Sequence, residues 1–141
     1  MYLECIQREM AVCHYGEIEA FLAHDPSRWH VVSIREPDHP EAVLKDAFKA
    51  HTAVFEDVLN SRGTSGHGPK TAHLEGILRF VQGSGQAPLL FQCWAGRSRS
   101  TASALVVITK TLWDRGLDGQ ALVSAAVDAL LQIRRFAKLD G

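Results

Sequence analysis

One stretch of this chain, residues 89–101, limits what the rest can fold into. It opens with an apolar run, Leu89 to Phe91, which predicts a short buried strand. Cys93 follows, then a turn containing Gly96, then a segment with helical spacing that includes Arg99. Strand, loop and helix in this order bring the N–H groups of the loop and of the first helical turn together at one point. Such a nest of donors favours binding of an oxyanion, and phosphate fits that description.

The side chains of this stretch predict covalent chemistry on the bound anion. A thiol above a helix N-terminus is stabilised as the thiolate, so we expect the pKa of Cys93 to fall below its ordinary value of about 8.5. Arg99, six positions after Cys93, is predicted to hold two phosphoryl oxygens in a bidentate fork. Ser100 is expected to stabilise the leaving thiolate when a phosphocysteine is hydrolysed. The residues predicted to bind phosphate are Trp94, Ala95, Gly96, Arg97, Ser98 and Arg99. The alternative interpretation is that Cys93 is a buried, inert cysteine.

The segment from Cys93 to Ala102 resembles the Cys-x5-Arg-Ser/Thr signature of the cysteine-based protein tyrosine phosphatases. Within that superfamily it is most similar to the compact dual-specificity-like group of bacterial type, and a looser similarity extends from about Val31 to the C-terminus. The resemblance implies an α/β domain with a central sheet and a phosphocysteine intermediate. It also implies an aspartic acid on another loop as general acid, and no metal.

The chain departs from this family at the residue before the nucleophile. The family usually has histidine there, whereas this chain has Gln92. An amide forms hydrogen bonds but cannot carry a charge. We therefore expect Cys93 to titrate at a higher pH than in relatives with histidine, with activity at neutral pH present but reduced.

The general acid is predicted from strand periodicity. Residues 53–58 alternate with period two, and Asp57 lies near the C-terminal end of that predicted strand. The carboxyl ends of parallel strands converge on one rim of a sheet, where Cys93 also ends its strand. Asp57 is therefore the predicted proton donor to the leaving group, with Asp38 and Glu56 as alternatives. The structural alternative is that Asp57 only hydrogen-bonds the turn that follows it.

Composition and spacing predict one domain, residues 1–141, with an α/β fold. The 46% of apolar residues suffices for a real core, and we expect a mostly parallel sheet of about four to five strands flanked by helices, phosphatase-like in arrangement. Strands are predicted within 2–13 and at 29–35, 53–58 and 89–92. Helices are predicted at 16–24, at 71–82 with Thr71 as its cap, at 98–112 and from Asp118 onward, with one or two helical turns at 41–49.

Net charge and cysteine content limit the classes of partner and the cellular compartments that we expect for this protein. A formal net charge of −1 provides no global field for gathering nucleic acid or an anionic membrane. The three cysteines are an odd number without metal-ligand spacing, which fits a reducing compartment. Without a signal-like N-terminus or a long apolar run, we expect a cytoplasmic protein. The resemblance implies that it uses no metal, and we expect no other cofactor.

The predicted function is hydrolysis of phosphomonoesters by a protein tyrosine or dual-specificity phosphatase. Cys93 is the nucleophile, Asp57 the general acid, and the partner is a phosphorylated protein or a small phosphate ester. A second interpretation stays open because of Gln92. In it the chain is a catalytically weak phosphate-binding module, a pseudophosphatase, which recognises a phosphorylated partner.

Overall fold

The computed structural model describes residues 1–55, 70–95 and 99–140 of the chain. The elements in chain order are β1 (Tyr2–Leu3), β2 (Arg8–His14), α1 (Ile18–His24), β3 (His30–Arg35), β4 (Lys49–Val54), α2 (Thr71–Gln82), β5 (Leu89–Cys93), α3 (Arg99–Asp114) and α4 (Gly119–Asp140).

The strands form one five-stranded sheet in the order β1-β2-β5-β3-β4. β1 is antiparallel to β2, and the other neighbouring strands run parallel. β5 therefore lies in the middle, hydrogen-bonded on both sides. Its residues Leu89, Leu90 and Phe91 are completely buried, as the apolar run predicts for a central strand of a parallel sheet.

Helices cover both faces of this sheet. α2, α3 and α4 pack on one face around the larger apolar core, to which β5 contributes Leu89, Phe91 and Cys93. α1 covers the other face with Ile18 and Leu22, over a smaller core that contains Leu90. Because side chains alternate along a strand, Gln92 shares the α1 face with Leu90, while Cys93 faces α3. The predicted α/β fold with a mostly parallel sheet flanked by helices is confirmed.

The helical turns predicted at 41–49 are wrong. Residues 41–47 form an irregular loop that contains a turn at Lys45 and Asp46. The loop is hydrogen-bonded to a distant part of the chain: the carbonyl of Asp46 accepts a hydrogen bond from the N–H of Ser27 at 2.8 Å. Leu44 and Ala47 pack onto the smaller core from the loop. Val43 stays 40% exposed, so the segment lacks the buried face that would favour a helix.

The strand predicted at 53–58 begins earlier than expected, at Lys49, and its hydrogen-bonded ladder ends at Val54. The neighbouring strand sets both limits, since His30 pairs with Lys49 and Arg35 pairs with Val54. The predicted alternation holds for the described residues: Ala53 and Phe55 are buried, whereas Val54 is 37% exposed. Residues 56–58 lie outside the described part.

The predicted helices at 16–24, 71–82, 98–112 and from 118 onward correspond to α1, α2, α3 and α4. One capping prediction is wrong: Thr71 is the first helical residue of α2 and Lys70 is its N-cap, without a side-chain bond from Thr71. The ring Nδ1 of His73 instead accepts the backbone N–H of Lys70 at 2.9 Å. In the described ranges, every helix is too short or too polar to cross a lipid bilayer.

Candidate active site

The carboxyl ends of the four parallel strands meet at one rim of the sheet. His14 at the end of β2 pairs with Cys93 at the end of β5, and Arg35 at the end of β3 pairs with Val54 at the end of β4. Ligands of open parallel sheets bind outside this rim, at the point where the strand order reverses. β5 lies between β2 and β3, so Cys93 stands at the middle of the rim.

Cys93 and Ser100 are brought together across the loop that joins β5 to α3. The Sγ of Cys93 lies 3.2 Å from the Oγ of Ser100. Cys93 is 1% exposed and Ser100 is completely buried at the start of α3. The hydroxyl is thus in place to donate to a thiolate. The sulfur of Cys93 therefore contacts a hydroxyl at the start of α3, although the residue also belongs to the larger apolar core.

Arg99, the first residue of α3, turns inward and its side chain is only 10% exposed. Its Nη1 lies 3.4 Å from Oε1 of Glu36, which follows β3. The same nitrogen donates to the carbonyl of Phe55 at 3.5 Å, just after β4. The guanidinium therefore lies at the rim of the sheet, beside the carboxyl ends of β3 and β4.

Of the predicted phosphate-binding residues, Trp94, Ala95 and Arg99 are described, and Gly96, Arg97 and Ser98 lie outside the described residues. Trp94 is 45% exposed at the mouth of the loop. Its ring stacks on Tyr15 at 4.7 Å and packs against His39 at 4.6 Å. The carbonyl of Trp94 also accepts the N–H of Tyr15 at 3.2 Å. The rings of Trp94, Tyr15 and His39, from three loops, thus form an aromatic surface at this rim, which we call the entrance.

Asp57, the predicted general acid, lies outside the described residues, as does Glu56. The described chain ends at Phe55, two positions before Asp57, and the carbonyl of Phe55 is bonded to Arg99. The ring of Phe55 packs on His73 at 4.8 Å. Asp38, the other alternative, is exposed in the turn after β3.

Glu36 is a site residue that the sequence analysis did not identify. It is the first residue after β3, and one of its carboxylate oxygens reaches Arg99 while the other lies 3.3 Å from Nε2 of His39. Arg35 holds this turn by donating to the carbonyl of His39 at 3.0 Å and to that of Glu36 at 3.4 Å. The signal that could have identified Glu36 is its position at the carboxyl end of a predicted parallel strand, the argument used for Asp57.

Gln92 makes a buried hydrogen bond on the opposite face of the sheet from the sulfur of Cys93. The hydroxyl of Ser33 on β3 donates to Oε1 of Gln92 at 2.6 Å, and both residues are 2% exposed. This bond joins β5 to β3 one residue before the rim. Gln92 therefore links the strand that carries Cys93 to its neighbour, and it brings no positive charge.

Cys13 shows what an unreactive thiol looks like in this fold. It lies on β2 beside Gln92, in the smaller core. Burial raises the pKa of Cys13, and the nearby charges of Glu17 and Cys93 raise it further. Because the thiolate is the reactive form of cysteine, this raised pKa makes Cys13 a weaker nucleophile than an ordinary thiol.

Glu36, Asp38 and His39 bring potential metal-ligand atoms within 4.8 Å of one another, among the described residues. The carboxylate of Glu36 is already used within the protein, since its two oxygens contact Arg99 and His39. Glu36 and His39 therefore belong to a contact network around Arg99.

The fold is similar to that of a protein whose structure has been solved. The chain resembles Tk-PTP in its active form with a TM-score of 0.55 and 18% sequence identity, covering 92% of this chain and 80% of that one. It resembles a mutant form of Tk-PTP with a TM-score of 0.53 and 14% identity, covering 93% of both chains. No protein-family model matches the sequence, and no curated protein sequence matches it. At these identities the likeness concerns the fold, which is phosphatase-like.

Proposed function

We propose that this protein hydrolyses phosphomonoesters through a phosphocysteine on Cys93. The observation that carries this proposal is the contact between Cys93 and Ser100 at the end of the central strand, with Arg99 turned in toward Glu36 at the same rim of the sheet. A thiol with a hydroxyl partner, a guanidinium and a helix N-terminus has the groups that covalent phosphoryl transfer needs. The phosphatase-like fold supports the same reading.

The reaction proceeds in two steps. The thiolate of Cys93 attacks phosphorus, the bond from phosphorus to the ester oxygen breaks, and Asp57 donates a proton to that oxygen. Arg99 holds two phosphoryl oxygens in a fork as charge builds on them. Water, deprotonated by the carboxylate of Asp57, then attacks the phosphocysteine and releases phosphate. Ser100 stabilises the thiolate that leaves.

The proposed substrates are phosphotyrosine, phosphoserine or phosphothreonine in proteins, or a small phosphate ester. Phosphotyrosine fits best with the entrance, because the exposed ring of Trp94 and the half-buried rings of Tyr15 and His39 present an aromatic surface. Aromatic pairs gain about 0.5–1.5 kcal/mol beyond the area they bury.

Hydrolysis of p-nitrophenyl phosphate by wild type, Cys93→Ser and Cys5→Ser tests the proposal. Cys5 is an exposed free cysteine outside the rim, so it serves as the matched control for replacing sulfur by oxygen. We expect Cys93→Ser to abolish turnover and Cys5→Ser to retain it. Equal turnover in wild type and Cys93→Ser contradicts the phosphocysteine.

Peptide binding and turnover, both measured on the wild-type protein, distinguish an enzyme from a phosphate-binding module. If wild type binds a phosphotyrosine peptide but shows no cysteine-dependent turnover, the module is supported.

Asp57→Asn then tests the general acid within the enzyme. We expect it to lower kcat steeply and to flatten the basic limb of the pH profile, whereas unchanged kinetics would assign the proton donor to another residue.

A further inference from the structure

His39 connects the two ends of the nucleophile loop through side-chain contacts. Its ring packs on Trp94, the residue directly after the nucleophile, with centroids 4.6 Å apart and planes at 44°. Its Nε2 lies 3.3 Å from Oε2 of Glu36, whose other oxygen is 3.4 Å from Arg99. A continuous series of contacts thus runs from Trp94 through His39 and Glu36 to Arg99.

The backbone that carries His39 is itself held in place. Nη1 of Arg35 donates to the carbonyls of both Glu36 and His39, and the N–H of His39 donates to the carbonyl of Glu36 at 3.1 Å. Nη2 of Arg35 lies 3.8 Å from Oε1 of Glu41. The turn after β3 is therefore fixed from within, and the imidazole of His39 projects from a rigid support.

The contact between His39 and Glu36 also affects how the negative charge of the Glu36 carboxylate acts on a bound anion. A carboxylate beside Arg99 orients the guanidinium, but its negative charge opposes any phosphoryl dianion that arrives there. An imidazole Nε2–H that donates to the second oxygen disperses that charge and keeps the first oxygen on Arg99. His39 does not need to touch the phosphoryl group to affect its binding.

We propose that His39 is a positioning residue of this site. It holds Glu36 in the orientation that directs Arg99 toward the dianion, and it holds the indole of Trp94 at the entrance. The inference rests on the proposed function, because it concerns how the same site binds its phosphoryl group. Loss of the Nε2 donor weakens dianion binding and leaves the chemical step nearly unchanged.

Two substitutions separate the two contacts of His39. His39→Phe keeps a ring against Trp94 and removes the donor to Glu36, whereas His39→Gln keeps a donor and removes the ring. For His39→Phe we expect KM for p-nitrophenyl phosphate and the inhibition constant of inorganic phosphate to rise about 5- to 10-fold, with kcat within about 2-fold. For His39→Gln we expect phosphate binding within about 2-fold of wild type and a change in Trp94 fluorescence.

Controls exclude a general loss of structure. His24→Phe makes the same substitution, histidine to phenylalanine, at an exposed position at the end of α1. It should leave KM and kcat at wild-type values. In a Glu36→Gln background the effect of His39→Phe on KM should disappear, since no carboxylate charge remains to be dispersed. A matching KM penalty with and without the Glu36 charge would assign the effect of His39 to packing alone and overturn the inference.

A binding measurement keeps this inference separate from the proposed function. Inorganic phosphate bound at Arg99 should protect Cys93 from alkylation by iodoacetamide, and this protection requires no turnover. If wild type lacks turnover, the proposed function fails, while protection in wild type and its 5- to 10-fold weakening in His39→Phe still support the role of His39. Equal protection in wild type and a folded His39→Phe, as judged by circular dichroism, overturns it.

Discussion

Oε1 of Glu36 and Nη1 of Arg99 lie 3.4 Å apart, so the arginine proposed to bind phosphate already faces a carboxylate. The two side chains are mostly withdrawn from solvent, at 16% and 10% exposure respectively. Part of the carboxylate's effect is to orient the guanidinium, and part is to repel an incoming dianion. The two effects can be separated by substitution.

Glu36→Gln keeps an oxygen acceptor for Arg99 and removes the charge. We expect the inhibition constant of inorganic phosphate to fall about 3- to 10-fold, because a like charge close to the anion is removed. Glu36→Ala removes the acceptor as well, so phosphate binding should be weaker than in Glu36→Gln. Phosphate inhibition of p-nitrophenyl phosphate hydrolysis measures both, and weaker binding in Glu36→Gln than in wild type would contradict the electrostatic argument.

Ser100→Ala should slow the second step of the reaction more than the first. The hydroxyl lies 3.2 Å from the sulfur, and its proposed role is to stabilise the thiolate that leaves phosphorus. Losing a hydrogen bond to a charged group should reduce steady-state turnover roughly 10- to 100-fold. Stopped-flow measurements should then show a burst of p-nitrophenol, which reports accumulated phosphocysteine. Thr101→Ala, one position along α3, serves as a neighbouring control, and slow turnover without a burst would place the role of Ser100 in the first step.

Gln92→His should make Cys93 more reactive at low pH. The glutamine already bonds Ser33 at 2.6 Å, so an imidazole at this position has a hydroxyl partner within the sheet. A partly cationic ring on the residue next to Cys93 favours the thiolate through its charge, even though it faces the other side of the sheet. The rate of iodoacetamide alkylation of Cys93 against pH measures the change, and we expect its midpoint to move to lower pH. An unmoved midpoint would show that the residue before the nucleophile does not tune it in this fold.

Two histidines on neighbouring strands predict how stability changes with pH. Burial lowers the pKa of His30, as do the charges of Lys49 and Arg8, and burial also lowers the pKa of His51. The unfolded chain takes up these protons near pH ~6.5, above the pH at which the folded protein does so. Stability is therefore complete above about pH 6.5 and decreases as the pH falls through the window below it.

Urea unfolding in the neutral range and below about pH 6 measures this effect. His30→Asn retains a donor for Ser84, which the ring Nδ1 of His30 contacts at 2.7 Å, and it removes the titration. We expect the variant to lose less stability than wild type over the same pH interval. An equal loss in both proteins would show that His30 does not contribute.

Local order along the chain explains which parts of the site could be predicted. Cys93 at the end of β5 and Ser100 in the first turn of α3 are close in sequence, so their contact depends little on the order of the remaining strands. The contact between Cys93 and Ser100 is confirmed. Roles in catalysis for these residues stay predictions.

Contacts that depend on strand order could not be predicted in the same way. Glu36 reaches Arg99 because β3 lies directly beside β5, an adjacency between strands that are far apart in the chain. The limits of β4 were also missed, because they follow from pairing with β3 and its own sequence has no clear stop at Val54. Apolar spacing predicts helical turns at 41–49, whereas Leu44 and Ala47 pack onto the smaller core from a loop. Pairing partners across the sheet decide such boundaries, and local propensity does not.

The central position of β5 has a consequence for how the site around Cys93 is lost on heating. Its backbone is bonded to β2 on one side and to β3 on the other, so its amide hydrogens can exchange with solvent only when the whole sheet opens. Fraying at the outermost strands, β1 and β4, leaves that interior ladder intact. Inactivation by heat should accordingly coincide with the global melting transition.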